Sequence, residues 1–154
     1  MTSYLVVLAV ALVTTAAASL VVLRVARRYG LAPRIRARDV HRSPTPRLGG
    51  VAMFAGLLAA FGAAATLPEF SELFSGEPEV WALLGACLLI TVVGAVDDLL
   101  DLDWMVKLSA QLLAAGILAW NGAQIVSLPV GDTLVIGSPA VNFMLTVFLM
   151  TLVM

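Results

Sequence analysis

Residues Tyr4–Leu23, YLVVLAVALVTTAAASLVVL, run for twenty positions without a charge. A helix that crosses the hydrocarbon core of a bilayer needs about 20 predominantly apolar residues, and this run supplies them. The rest of the chain agrees. Of its 154 residues 61% are hydrophobic and 12% charged, with a mean hydropathy of +1.02, too apolar for a soluble domain of that size. A cleaved leader is the rival reading, because Ala16-Ala17-Ala18 could serve as a cleavage site. However, no basic residue precedes the run, and the arginines follow it. Tyr4–Leu23 is therefore expected to be a retained first span with its N-terminus outside.

Charge is segregated on either side of the next spans. Eight of the nine Lys and Arg residues lie between Arg24 and Arg47, with Asp39 the one acid among them. The positive-inside rule places that loop in the cytoplasm. Many such loops only set orientation, yet arginine forks also suit phosphate oxygens. Nucleic acid is excluded as a partner, since Tyr29 alone interleaves the arginines with an aromatic ring.

Four further apolar runs follow: Leu48–Leu67, Val80–Val96, Leu108–Ala123 and Asn142–Met154. In the first, Gly49, Ala52, Gly56, Ala60 and Ala63 recur every three or four positions, the spacing that lets helices approach closely in lipid. Residues 68–79 hold four glutamates and no base and read as a solvated external connection. Ile125–Ile136 is rich in β-branched residues broken by Pro129 and Gly131-Asp132, the pattern of a short external β-hairpin. The expected class is an all-α polytopic membrane protein of about five transmembrane helices, the last cut short, with one hairpin. The single cysteine, Cys87, leaves no intramolecular disulfide to form.

Two stretches depart from the apolar background. Asp39–Gly50, DVHRSPTPRLGG, carries the only histidine. Pro44 and Pro46 hold Ser43 and Thr45 extended, while Gly49-Gly50 allows a tight turn or a close approach to a ligand. The plain alternative is a helix-entry turn with topology-setting arginines. The second stretch is VDDLLDLDW, with Asp97, Asp98, Asp101 and Asp103 at the end of the third run. Carboxylates there oppose the negative end of the helix dipole and repel one another. Asp97 and Asp101 would share a helical face at i, i+4, and Asp98 and Asp101 at i, i+3. A divalent cation, a basic partner or partial protonation would relieve the repulsion. All-oxygen ligands favour Mg²⁺, usually held by one or two carboxylates plus substrate phosphates. A hydrated Asp-rich turn is the plain alternative. Lys107, one turn before Gln111, either snorkels to the interface or pairs with the aspartates or a phosphate.

HRSPTPRLGG, then GAVDDLLDL some fifty residues on, then KLSAQLLAA, resembles the polyprenyl-phosphate N-acetylhexosamine-1-phosphate transferases. The form Pro44, Pro46, Arg47, Gly49, Gly50 is most similar to the branch that transfers N-acetylglucosamine 1-phosphate to undecaprenyl or decaprenyl phosphate. The likeness covers most of residues 36–111, with the motifs in the family's order. Asp39 departs from it, standing where many relatives carry a base. Family members are more than twice as long, and a later Asn/Asp-rich motif and a His-containing loop are missing here.

The resemblance implies a single transmembrane domain over residues 1–154, the N-terminal portion of a longer enzyme and inactive alone. That enzyme would move a sugar 1-phosphate from a UDP-sugar to a polyprenyl phosphate, release UMP and require Mg²⁺, as the first membrane step of cell-envelope polysaccharide synthesis. It implies Asp97 and Asp98 as catalytic residues and partial Mg²⁺ ligands, with the main ligand beyond residue 154. Thr45, Arg47, Gly49, Gly50 and Lys107 would bind substrate. The expected location is the bacterial plasma membrane, with residues 24–47 and 97–103 cytoplasmic and a second copy of the chain as one candidate partner. Two rivals stand beside it. A Mg²⁺-dependent intramembrane prenyltransferase normally needs a second Asp-rich cluster, which this sequence lacks, and a non-catalytic transport subunit leaves both motifs unexplained.

Overall fold

The computed structural model describes residues 2–30, 48–75, 78–125, 127–130 and 133–153. In chain order the elements are α1 (Thr2–Tyr29), α2 (Gly49–Ala65), a 3-10 turn (Pro68–Phe70), α3 (Ser71–Phe74), α4 (Pro78–Leu100), α5 (Trp104–Trp120), β1 (Ser127–Val130), β2 (Thr133–Ile136) and α6 (Pro139–Val153). They form two compact units. Residues 1–76 and 91–102 make the first; residues 77–90 and 103–154 make the second. Helix α4 runs through both.

In the first unit α1 packs against α2. The tyrosine at the start of α1, Tyr4, meets the ring of Phe70 beyond the end of α2 edge-on at 5.1 Å, so the two helices run antiparallel. Ala52, Gly56 and Ala60 form the buried face of α2. A methyl group built on Gly56 would overlap Thr15 Oγ1 and stand 3.0 Å from the Ala11 carbonyl oxygen. The small-residue spacing thus does what it does in lipid generally, letting backbones come close.

Helix α2 ends because Pro68 cannot continue it. Leu67 before it is extended (φ −98°, ψ 128°), as a residue preceding proline prefers. The chain then bends by 102° into residues 68–74. That stretch is largely exposed, as its glutamates implied, but its two rings are held. Phe70 is held by Tyr4, and Phe74 meets Phe61 edge-on at 6.1 Å.

The second unit has a core of Ala82, Ala86, Ala114 and Leu118, surrounded by Leu89, Ile90, Ala123 and Met150. Helix α5 closes at Gly122, whose φ of +106° lets the Ala123 N–H reach back 3.1 Å to the Leu118 carbonyl, a glycine-dependent helix stop. The Glu79 side chain lies over that glycine, 2.6 Å from where a Cβ would stand, so the start of α4 adjoins the end of α5. Trp81 and Trp120 are exposed at this end and Trp104 at the other end of α5, the distribution of an interfacial aromatic belt. Helix α6 starts with Pro139 at its first position, where a missing N–H costs nothing. It packs on α5, with Phe143 edge-on to Trp120 at 6.5 Å.

The expected count of five spans is corrected. Among the described residues two helices, α1 and α4, are long and apolar enough to cross a membrane, and a third span exists if α2 and the bent segment after it count as one. Helix α5, at 17 residues, falls below the roughly 20 residues a perpendicular crossing needs, and α6 is described to Val153. Ser127–Val130 and Thr133–Ile136 pair antiparallel in the register Ser127↔Ile136 to Val130↔Thr133. Both strands are edges, which is why Pro129 is tolerated. Two four-residue strands make no β-layer, and the architecture is helical.

Candidate functional site

The site expected from the sequence centres on the end of α4. Its last apolar stretch continues unbroken through Asp97 and Asp98, so both aspartates sit on the final helical turn. Both are half-buried. The helix stops at Leu100 because Asp101 adopts φ +53°, the left-handed region that asparagine and aspartate enter more readily than other side-chain-bearing residues. Asp97 receives two N–H groups here, one through the ordinary helical ladder and one after the turn. The Asp101 N–H donates to the Asp97 carbonyl at 2.8 Å, and the Leu102 N–H donates to Asp97 Oδ1 at 2.9 Å.

This charge-assisted hydrogen bond orients the Asp97 carboxylate. It offsets part of the penalty of placing an acid at a helix C-terminus. The four aspartates are accordingly not one equivalent cluster. Asp101 lies outside the helix with left-handed backbone and is exposed, so it does not continue the helical face that carries Asp97 and Asp98. Asp103 is exposed too. It is the residue before α5, with extended backbone (φ −62°, ψ 147°), and its carbonyl accepts the Val106 and Lys107 N–H groups at 3.1 and 3.3 Å. An acid at a helix N-terminus suits the dipole, which accounts for Asp103 without any ligand. Among the described residues no three His, Cys, Asp or Glu side chains converge on a metal-sized site.

Of the expected substrate-binding residues, Gly49 and Gly50 open α2 and are exposed, and among the described residues no atom of another element lies within 4 Å of where a Cβ would stand. Leu48 before them provides no side-chain cap, so the first N–H groups of α2 lack a capping partner from that side chain. Lys107 is half-buried on the first turn of α5, in the second unit. Thr45 and Arg47 lie outside the described residues, as do His41, Pro44 and Pro46. Sequence reasoning missed the part played by Leu102. The available signal was an aspartate in the place after a helix where glycine is usual.

A family model described as glycosyl transferase family 4 matches residues 80–154, a range that contains Asp97, Asp98 and Lys107 but not Gly49 or Gly50. The chain is similar to the decaprenyl-phosphate N-acetylglucosaminephosphotransferase of Mycobacterium leprae, 40% identical over 98 residues, 62% of this chain and 25% of the relative. It is 38% identical to the protein of that name in Mycobacterium tuberculosis over 108 residues, 69% of this chain and 27% of the relative. So long a match within 154 residues cannot avoid Asp97 and Asp98. The Mycolicibacterium smegmatis relative is 36% identical over 106 residues, 68% of this chain and 26% of the relative. No solved structure matches the chain. The matched stretch spans about a quarter of the length of these curated relatives. The paired acids of the apolar helix α4 lie inside the range, residues 80–154, that matches the glycosyl transferase family 4 model.

Proposed function

We propose that this chain is the N-terminal part of a bacterial membrane enzyme that transfers N-acetylglucosamine 1-phosphate from UDP-N-acetylglucosamine to a polyprenyl phosphate. The observation that carries the reading is the half-buried Asp97–Asp98 pair at the end of an apolar helix, with one carboxylate already oriented. Acids at a membrane edge are costly and are more often functional than surface ones. The activity for which the relatives are named, N-acetylglucosaminephosphate transfer with decaprenyl phosphate, supports these substrate classes.

In the reaction an oxygen of the lipid phosphate attacks the sugar-bearing phosphorus of the UDP-sugar. The bond from that phosphorus to the oxygen bridging the two phosphates breaks, and UMP leaves with that oxygen. Such transfers depend on positioning and on neutralising charge more than on covalent help from the protein. Asp97 and Asp98 orient or deprotonate the attacking lipid phosphate. Lys107 and Arg47 neutralise phosphate oxygens. Gly49 and Gly50 contribute the first N–H groups of α2, a favourable setting for an anion, and Thr45 shapes the same approach.

Mg²⁺ fits the donor set. Two adjacent carboxylates offer the hard oxygens this ion takes, and it commonly completes its shell from substrate phosphates and water. Asp97 and Asp98 would hold it, with a further protein ligand outside this chain. When bound, it would offset the charge developing on the transferred and leaving phosphates. Residues 24–47 and 97–103 face the cytoplasm, where the UDP-sugar is.

The test is UMP release from UDP-N-acetylglucosamine by membranes containing the full-length enzyme, with and without added decaprenyl phosphate. Release that requires the lipid is the expected result. Normal insertion with no lipid-dependent UMP would overturn the reading.

A further inference from the structure

The left-handed residue at the end of α4 has a role that its charge does not describe. Asp101 has φ +53°, and this left-handed backbone turn sets where the next N–H points. The Asp101 N–H makes the last ordinary helical bond, to the Asp97 carbonyl at 2.8 Å, and after the turn the Leu102 N–H reaches back across the helix end to Asp97 Oδ1 at 2.9 Å. A helix that simply continued would send the Leu102 N–H to the carbonyl four residues earlier, and Asp97 would lose its donor. A residue in the extended region would direct that N–H away from the helix altogether.

We infer that Asp101 is a positioning residue that acts through its backbone: its left-handed turn clamps the Asp97 carboxylate against the Leu102 N–H. The inference rests on the transferase reading for its catalytic consequence, though not for the clamp itself. Asp97 is half-buried, so a carboxylate held in one rotamer presents its second oxygen in a fixed direction. Reaction rates are sensitive to such placement, and a shift of about 1 Å can cost on the order of a hundredfold. The spacing Asp97, Asp98, Asp101 invites the view that all three carboxylates serve as ligands. The backbone geometry assigns the third a different task.

Three substitutions in the full-length enzyme separate these roles. Asp101→Gly and Asp101→Val both remove the carboxylate, but glycine enters φ +53° freely and valine is a severe outlier there. Asp101→Asn keeps both the shape and the tolerance of that conformation. Asp101→Gly and Asp101→Asn should rescue, each with kcat within about threefold of wild type. Asp101→Val should lower kcat at least about tenfold, with KM for UDP-N-acetylglucosamine within about threefold. Equal losses in all three would make the carboxylate the working group and overturn the inference, as would three variants with wild-type kcat.

The clamp is also measured without turnover. In protein labelled with ¹⁵N-leucine and held in lipid nanodiscs, the Leu102 amide should exchange at least about tenfold faster in Asp97→Ala and in Asp101→Val. Asp101→Asn should leave it protected. An unchanged rate in Asp101→Val would overturn the inference. If the wild-type enzyme releases no UMP, the transferase reading falls, and the exchange rates still decide the clamp.

Discussion

Gly56 of α2 lies so close to Thr15 of α1 that a methyl group built on it would overlap the threonine hydroxyl oxygen. The Ala11 carbonyl stands 3.0 Å from the same point. A threonine side chain can rotate away, whereas a helix carbonyl cannot, so any side chain at position 56 pushes the helices apart. Overpacking of this kind costs about 1–3 kcal/mol. Gly56→Ala should lower the thermal midpoint of the detergent-solubilised protein, and Gly56→Leu should lower it further. Adding Thr15→Ala should recover part of the Gly56→Ala loss, because it removes one of the two obstructions. Equal midpoints for wild type and Gly56→Leu would contradict the close approach.

Thr146 tests the second unit independently. Its side chain is fully buried, donates to the Asn142 carbonyl at 2.7 Å and accepts the Ile125 N–H at 2.8 Å. The first bond is local to α6; the second fastens the segment after α5 to α6. Thr146→Val preserves shape but leaves the Ile125 N–H unsatisfied, which costs about 1–3 kcal/mol. Thr146→Ser keeps the acceptor and should lose less. Thermal melts of the two variants check this, and a valine variant as stable as serine would show that the bond contributes nothing.

The helices were legible in the sequence because apolar runs and charge mark them, but their ends were not. Helix α1 continues through Arg24, Arg27 and Arg28 to Tyr29. A change from apolar to charged marks the edge of a hydrophobic run, not of a helix, and arginine is a good helix former. Conversely, five apolar runs did not make five helices of spanning length among the described residues, because hydropathy does not reveal the break at Pro68 or the short length of α5. Phe70 and Phe74 escaped notice because two rings in a seven-residue stretch have no period to detect. In the site, the Asp97–Asp98 pair was evident from its position at an apolar boundary. The unequal environments of Asp101 and Asp103 depend on one dihedral and one helix start, which composition does not encode.

The proposed orientation in the membrane rests on charge. The arginines between residues 24 and 47 favour the cytoplasm, and one antiparallel crossing by α1 and α2 puts residues 68–75 opposite them. In a Cys87→Ser background, a cysteine replacing Ser71 should react with an impermeant thiol reagent on intact cells. One replacing Ser43, which lies outside the described residues, should react only after the membrane is opened. Equal labelling of both in intact cells would refute this orientation.

The aspartates of α4 should separate by function in the full-length enzyme. Asp97→Asn keeps an oxygen for the Leu102 N–H but removes the negative charge; Asp98→Asn does the same to its neighbour on the last turn. Loss of an acid–base or electrostatic group typically lowers rate by about a hundredfold or more. Each variant should therefore release UMP at about one hundredth of the wild-type rate or less. Glu72→Gln, on the exposed face of α3, should remain within about twofold, in line with a surface change remote from the chemistry. Chelation with EDTA should abolish wild-type turnover and excess Mg²⁺ should restore it, since two carboxylates and the substrate phosphates form an oxygen-only set suited to that ion. Because Asp97→Asn preserves its hydrogen bond, its thermal midpoint should stay close to wild type while turnover falls. A variant that lost stability and activity in parallel would indicate a structural part for Asp97 at the helix end, and normal turnover in both Asp97→Asn and Asp98→Asn at unchanged protein levels would remove the pair from the active site.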